Sequence, residues 1–128
     1  MPVQDYDLVV IGGGPAGICG ANTAGLFGKR VALVEKLHEV GGAGINTGTI
    51  PSKTLRETAL ALSGVRSRKL FGVDLSLQRE ATVADFMRHQ ANVAAQERRR
   101  REEQMRTYNV ETFHGAARFV DPNAIRGV

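Results

Sequence analysis

The sequence lacks the features that mark several common classes of protein. Its single cysteine, Cys19, excludes an internal disulfide. The longest apolar runs, residues 8–11 and 31–34, are far shorter than the roughly 20 residues that span a bilayer. Acidic residues stand near the N-terminus where a signal peptide would carry basic ones. We therefore expect a cytoplasmic protein that does not bind a membrane.

Two further kinds of site find little support. The three histidines are widely spaced and lack a cluster of cysteines or carboxylates, so no metal site is expected. The basic run at residues 96–106 suggests nucleic-acid binding, but its charges can neutralise one another on one helix. The i,i+4 spacing pairs Glu97 with Arg101, Arg98 with Glu102, and Arg99 with Glu103. We therefore expect no nucleic-acid partner.

The composition is that of one folded domain. The 128 residues are 42% hydrophobic and 23% charged, which is close to the globular norm. This length suffices for a single core and is too short for two ordinary domains. We therefore treat residues 1–128 as one domain, and any activity that requires a second domain must borrow it.

Local patterns predict an α/β fold with a parallel sheet. Residues 6–11 form an apolar run that stops at three glycines, residues 15–27 read as a helix, and residues 30–35 repeat the strand pattern. Such a strand, helix and strand form a parallel crossover unit. The remaining expected elements are a helix at 52–66 capped by Ser52, an irregular segment at 67–80 with a turn at Gly72, a helix at 82–108, and strands at 110–113, 117–120 and 124–128.

The first strand-to-helix turn matches the dinucleotide-binding pattern G-x-G-x-x-G at Gly12, Gly14 and Gly17, and Glu35 ends the next strand. The first glycine permits the turn, the second lets a pyrophosphate approach, and the third allows close packing. The helix N-terminus offers amides to phosphates, and Glu35 can accept ribose hydroxyls. Because a carboxylate repels a 2'-phosphate, we expect FAD or NAD rather than NADP. The candidate residues are Gly12, Gly14, Pro15, Ala16, Gly17, Glu35 and Lys36; alternatively, the glycines only form a tight turn.

A second glycine-rich stretch, GGAGINTGTIPSK, occupies residues 41–53. It is too rich in glycine for an ordinary helix or strand. We expect its backbone to run beside the same ligand, with amides at positions such as Gly42 serving phosphate or ring oxygens.

These segments, together with HGAARFVDP at 114–122, resemble the FAD-dependent pyridine nucleotide-disulfide oxidoreductases, which contain two dinucleotide-binding domains. The resemblance covers the whole chain but only the N-terminal portion of the family's architecture. It implies a Rossmann-like, incomplete FAD-binding domain, with NAD(P) bound only through absent domains. It also implies that the missing C-terminal domains or a complementing chain are partners, and that the full-length form is a homodimer.

In the disulfide-reducing members of this family, redox cysteines stand at the positions of Gly44 and Thr49. Neither residue forms a thiolate, and Cys19 is expected to be buried in the first helix, so no catalytic residue is expected here. Threonine followed by Ile-Pro-Ser-Lys resembles the soluble NAD(P) transhydrogenases, which pass hydride between NADPH and NAD through the flavin. The resemblance places Thr49 near the flavin, Lys53 near its N5 edge, and the backbone of Gly115 and Ala116 at the adenine end.

Two other interpretations stay open at this point. The chain could be a non-catalytic or degenerate nucleotide-binding module, or a dihydrolipoamide dehydrogenase-like reductase fragment that has lost its redox cysteines. If the chain is a segment of a transhydrogenase, we expect it alone to lack complete turnover.

Overall fold

The computed structural model describes residues 3–67 and 81–127. Residues 68–80, which include the predicted turn at Gly72, lie outside this range. The strands are β1 (Leu8–Ile11), β2 (Val31–Glu35), β3 (Val110–His114), β4 (Ala117–Asp121) and β5 (Ala124–Gly127). The helices are α1 (Pro15–Leu26), α2 (Gly42–Asn46), α3 (Thr49–Ser67) and α4 (Val83–Thr107).

A three-stranded parallel sheet in the order β1-β2-β3 forms the centre of the fold. All residues of the middle strand, β2, are buried, as expected for a strand with neighbours on both sides. The short strands β4 and β5 pair antiparallel as a separate hairpin. The described structure is thus the predicted α/β class, a partial Rossmann-like domain.

Helix α1 packs closely on one face of this sheet. Ile18 and Ala21 are buried there against Val31, Leu33 and Val110. At the far end of the helix, a Cβ built on Gly25 would lie 2.3 Å from the carbonyl oxygen of Tyr108. The absence of a side chain at Gly25 therefore lets the backbone of α1 approach the end of α4.

The long helix α4 begins at a complete capping box. The Asp85 amide donates to the Thr82 hydroxyl at 3.3 Å, and the Thr82 amide donates to the Asp85 carboxylate at 2.9 Å. These bonds satisfy two amides that a helix start leaves without partners. The predicted start of this helix is confirmed.

Three local expectations are wrong. Helix α3 begins at Thr49, so Ser52 lies inside its first turn and donates its hydroxyl to the Thr49 carbonyl at 3.2 Å instead of capping the helix. The glycine-rich stretch contains a short helix, α2, where no helix was expected. Cys19 is exposed rather than buried, because it lies on a side of α1 that the sheet does not cover.

None of the helices in the described ranges has both the length and the apolar character of a membrane span.

Candidate functional site

The first glycine turn carries the chain from β1 into α1 at the carboxyl edge of the sheet. Gly12 adopts a φ of 102° and donates its amide to the Val34 carbonyl at 2.8 Å. A Cβ built on Gly17 would lie only 2.0 Å from the carbonyl oxygen of Gly12. Position 17 therefore requires glycine for the turn and helix to pack, which is the role that the sequence pattern predicts.

The N-terminus of α1 has no side-chain cap. Gly14 is its N-cap residue. Pro15 takes the first helical position, where its missing amide costs nothing, and the first turn contains no acidic residue. The amides of Ala16 and Gly17 lie in this turn, where a helix leaves amides without intrahelical partners. The positive end of the helix dipole thus faces a surface suited to an anion.

Glu35 is buried directly beside this turn. Its carboxylate accepts the amide of Gly13 at 2.6 Å and the amide of Leu37 at 2.9 Å, and the residue is only 6% exposed. Burial raises the pKa of Glu35, but hydrogen bonds from the backbone of Leu37, Gly13 and Lys36, and the charge of Lys36, outweigh burial and lower that pKa overall. Glu35 is therefore ionised at neutral pH, and each carboxylate oxygen keeps a second lone pair for a further donor.

The second glycine segment lies directly against the first. The Gly41 amide donates to the Gly13 carbonyl at 2.7 Å. A Cβ built on Gly42 would lie 3.0 Å from the Cα of Gly14, and one built on Gly44 would lie 2.7 Å from Cγ of Pro15. The two glycine segments therefore lie side by side, and their binding of one shared ligand stays a prediction.

The end of β3 reaches the same edge of the sheet. His114 is the register partner of Glu35, and the Gly115 amide donates to the Glu35 carbonyl at 2.8 Å. Gly115 has a φ of 151°, and Ala116 follows it on the surface. The carboxyl ends of parallel strands are where α/β folds bind ligands, and the sequence-predicted residues of β1, β2 and β3 meet here.

The remaining candidates lie around this edge. Lys36 and Lys53 are both exposed, on the loop after β2 and in the early part of α3. Thr49 and Gly44 line a cavity of about 670 Å³ that also borders α1 and α4. The exposed thiol of Cys19 lines the same cavity. The structure therefore brings Thr49 near the first helix but leaves both lysines on the surface.

A contact that the sequence did not indicate joins α4 to the second glycine segment. Arg98 Nη1 donates to Oδ1 of Asn46 at 3.0 Å and lies 3.3 Å from Oε2 of Glu39. The predicted pair of Arg98 with Glu102 is therefore wrong, and Glu102 instead lies 3.8 Å from Arg106. The predicted pair of Glu97 with Arg101 is present at 3.7 Å. No local signal could have identified the contact, because its partners lie far away in sequence.

Residues 6–125 match the sequence model of the pyridine nucleotide-disulphide oxidoreductases. The chain belongs to this family. The resemblance read from the glycine motifs is thus confirmed.

Three relatives are soluble pyridine nucleotide transhydrogenases by name. The chain is 40% identical over 123 residues to a soluble pyridine nucleotide transhydrogenase of Mycobacterium tuberculosis strain H37Ra, covering 96% of this chain and 26% of that protein. It is 37% identical over 121 residues to a protein of the same name in Citrobacter koseri and 36% identical to one in Erwinia tasmaniensis. Both matches cover 94% of this chain and 26% of the relative. The chain thus spans about a quarter of the length of these relatives.

Proposed function

We propose that this chain is the FAD-binding portion of a soluble NAD(P) transhydrogenase. The observation that carries the proposal is the contact between two bare glycine segments beside a buried, ionised acid at the carboxyl edge of a parallel sheet. The names of the relatives support the transhydrogenase type. Thr49, followed by Ile-Pro-Ser-Lys, supports it further by its resemblance to the transhydrogenases, from whose usual cysteine at position 44 Gly44 departs. Neither Gly44 nor Thr49 can supply the thiolate of a dithiol reductase.

The residues present fit an extended dinucleotide. A Cβ built on Gly12 or on Gly14 would meet no described atom within 4 Å, so the backbone there is open to a ligand. In this proposal the first-turn amides of α1 bind the pyrophosphate and Glu35 accepts a ribose hydroxyl. The residues that would hold FAD are Gly12, Gly14, Pro15, Ala16, Gly17, Glu35, Lys36, Gly42, Thr49, Lys53, Gly115 and Ala116.

The residues near the flavin would orient it rather than react. When bound, FAD supplies reversible hydride transfer between nicotinamide nucleotides. Thr49 would lie beside the ring, and the Lys53 ammonium would favour negative charge near the N5 edge. The backbone of Gly115 and Ala116 would lie along the adenine. Binding of NAD and NADP belongs, in this proposal, to further domains or to a complementing chain.

The whole protein would be a cytoplasmic homodimer. Val9, Ile11 and Phe113 leave 36%, 49% and 40% of their surfaces exposed on strands of the parallel sheet. Apolar surface on strands favours coverage by further protein, which supports additional domains as partners.

Equilibrium titration with FAD tests the cofactor directly. We expect one equivalent of FAD to bind with visible flavin bands, and NADP to compete poorly because Glu35 would repel its 2'-phosphate. Gly14→Ala is expected to weaken binding by about tenfold or more, because a methyl group occupies the ligand's space. The fold should tolerate it, since Gly14 has an ordinary φ of −74°.

The matched control is Gly20→Ala, a helical position where a Cβ also meets no described atom within 4 Å. This variant should bind FAD like the wild type. A colourless protein that takes up no added FAD would contradict the proposal and favour a degenerate nucleotide-binding module.

The transhydrogenase type needs a separate test. The chain, fused to the remaining length of the Mycobacterium tuberculosis relative, is expected to exchange hydride between NADPH and NAD. Bound flavin without exchange would indicate another kind of flavoprotein.

A further inference from the structure

Arg98 differs from the other arginines around it on α4. Its side chain is 20% exposed, whereas that of Arg100 is 67% exposed. Rather than pairing along its own helix, the guanidinium donates to Asn46 in the second glycine segment and pairs with Glu39 just before that segment. Ordering a long side chain costs rotamer entropy. Arg98 is nevertheless held in one place by two partners and is largely buried, which distinguishes it from a solvated surface charge.

The segment that Arg98 contacts has little intrinsic rigidity. Gly41 and Gly42 adopt φ angles of 113° and 54°, and glycine loses more conformational freedom on folding than any other residue. Helix α2 has five residues, which is too short to be stable by itself. The segment must therefore be held by contacts from outside.

Besides the burial of Ile45, polar contacts hold the segment from two sides. On one side, the Gly41 amide binds the Gly13 carbonyl of the first glycine turn at 2.7 Å. On the other side, Arg98 binds Asn46, whose own amide donates back to the Val40 carbonyl at 3.3 Å. The guanidinium thus reaches Glu39, two residues before the segment, and Asn46 at the end of α2.

The geometry points to Arg98 as a positioning residue that holds the second glycine segment against the first, so that both are arranged for the dinucleotide before it binds. This inference rests on the proposed FAD function. A preorganised backbone raises affinity because the ligand does not have to order the loop. Arg98 acts through Asn46 and Glu39 and needs no contact with FAD.

The test replaces Arg98 with methionine, which keeps an apolar stem but removes the guanidinium. Since a hydrogen bond to a charged group carries a substantial free energy, we expect the FAD dissociation constant to rise by about tenfold or more. Amide hydrogen exchange at residues 43–47 should accelerate in the FAD-free protein, and the visible circular dichroism of bound FAD should change. The matched control, Arg99→Met, removes an exposed arginine from the same helix and should leave all three readouts unchanged.

A double-mutant cycle tests the route. If Arg98 acts through Asn46, then Arg98→Met combined with Asn46→Ala should weaken FAD binding by less than the product of the two single effects. Independent effects would overturn this route. Should Arg98→Met fail to fold, Asn46→Ala alone serves, and wild-type affinity together with wild-type exchange rates for that variant would overturn the inference.

The outcomes separate this inference from the proposed function. A wild-type chain that does not bind FAD contradicts the proposed function. Faster amide hydrogen exchange in Arg98→Met would still show that Arg98 holds the second glycine segment in place. A wild-type chain that binds FAD, with an Arg98→Met variant that has the same affinity and the same exchange rates, overturns the role of Arg98 alone.

Discussion

Replacing Glu35 with glutamine is expected to lower the free energy of unfolding at neutral pH. The substitution keeps the shape of the side chain but removes its charge and one of its two acceptor oxygens. In the folded chain those oxygens accept the amides of Gly13 and Leu37. A glutamine can accept only one of the two amides, and its own NH₂ group then faces the other donor.

The magnitude follows from these two bonds. A hydrogen bond to a charged group contributes about 1.5 to 3 kcal/mol, and a buried donor left without a partner costs about 1 to 3 kcal/mol. A neutral glutamine costs less free energy to bury than a carboxylate, and this difference offsets part of the loss. We therefore expect Glu35→Gln to destabilise the chain by about 2 to 3 kcal/mol, a large share of the roughly 5 to 15 kcal/mol of a typical domain.

Denaturant unfolding followed by circular dichroism measures this difference in the free energy of unfolding. The difference should also depend on pH. The folded-state pKa of Glu35 lies below its ordinary value of 4.5. Its contribution is therefore complete above that value and is lost as pH falls through the folded-state pKa. The stability gap between wild type and Glu35→Gln should consequently narrow as pH is lowered from 6 to about 3.

An exposed glutamate provides the control. Glu57 is 69% exposed on α3, so Glu57→Gln should change stability by less than about 0.5 kcal/mol. The reasoning would be refuted if Glu35→Gln behaved like Glu57→Gln, or if the gap between wild type and Glu35→Gln stayed constant from neutral to acid pH.

Two further substitutions, with Gly20→Ala as the control, test the glycine contacts. Gly17→Ala forces a Cβ to within 2.0 Å of the Gly12 carbonyl and should destabilise by about 2 to 3 kcal/mol, whereas Gly20→Ala should stabilise α1 by about 0.5 to 1 kcal/mol. Equal denaturation midpoints for these variants would contradict the turn geometry. Gly44→Cys must displace Pro15, which lies 2.7 Å from the built Cβ, so a destabilisation of about 1 to 3 kcal/mol is expected. A denaturation midpoint equal to that of the wild type would show that Pro15 can move away from the new side chain without a loss of stability.

The parts of the fold that sequence could predict are those with strong local signals. The apolar runs before Gly12 and before Glu35 have the composition of strands, and the glycines and proline after the first run mark its turn into α1. Of these two strands only β2 is buried throughout, whereas most of β1 is exposed. Thr82 lies three residues before Asp85, the spacing of a capping box. Each of these features depends on neighbours within a few residues, so the sequence predicts them well.

The remaining features depend on contacts between distant segments. Helix α2 forms in a glycine-rich stretch because that stretch packs on Gly14 and Pro15, and local propensity opposes a helix there. The apolar residues of α1 surround the helix, so its sequence does not show that Cys19 faces outward. Arg98 is placed by Asn46 and Glu39, and spacing along α4 favours Glu102 instead.

The pairing of β2 with β3 has a consequence for the order in which this protein can form. In the described residues three helices lie between the two strands along the chain, so the ribosome releases β2 long before β3. During that interval β2 has β1 on one side and an unpaired edge on the other, and such an edge is a template for association with other chains. Synthesis that stalls before Val110 is therefore the stage at which aggregation is most expected, and a chaperone that covers strand edges would act there.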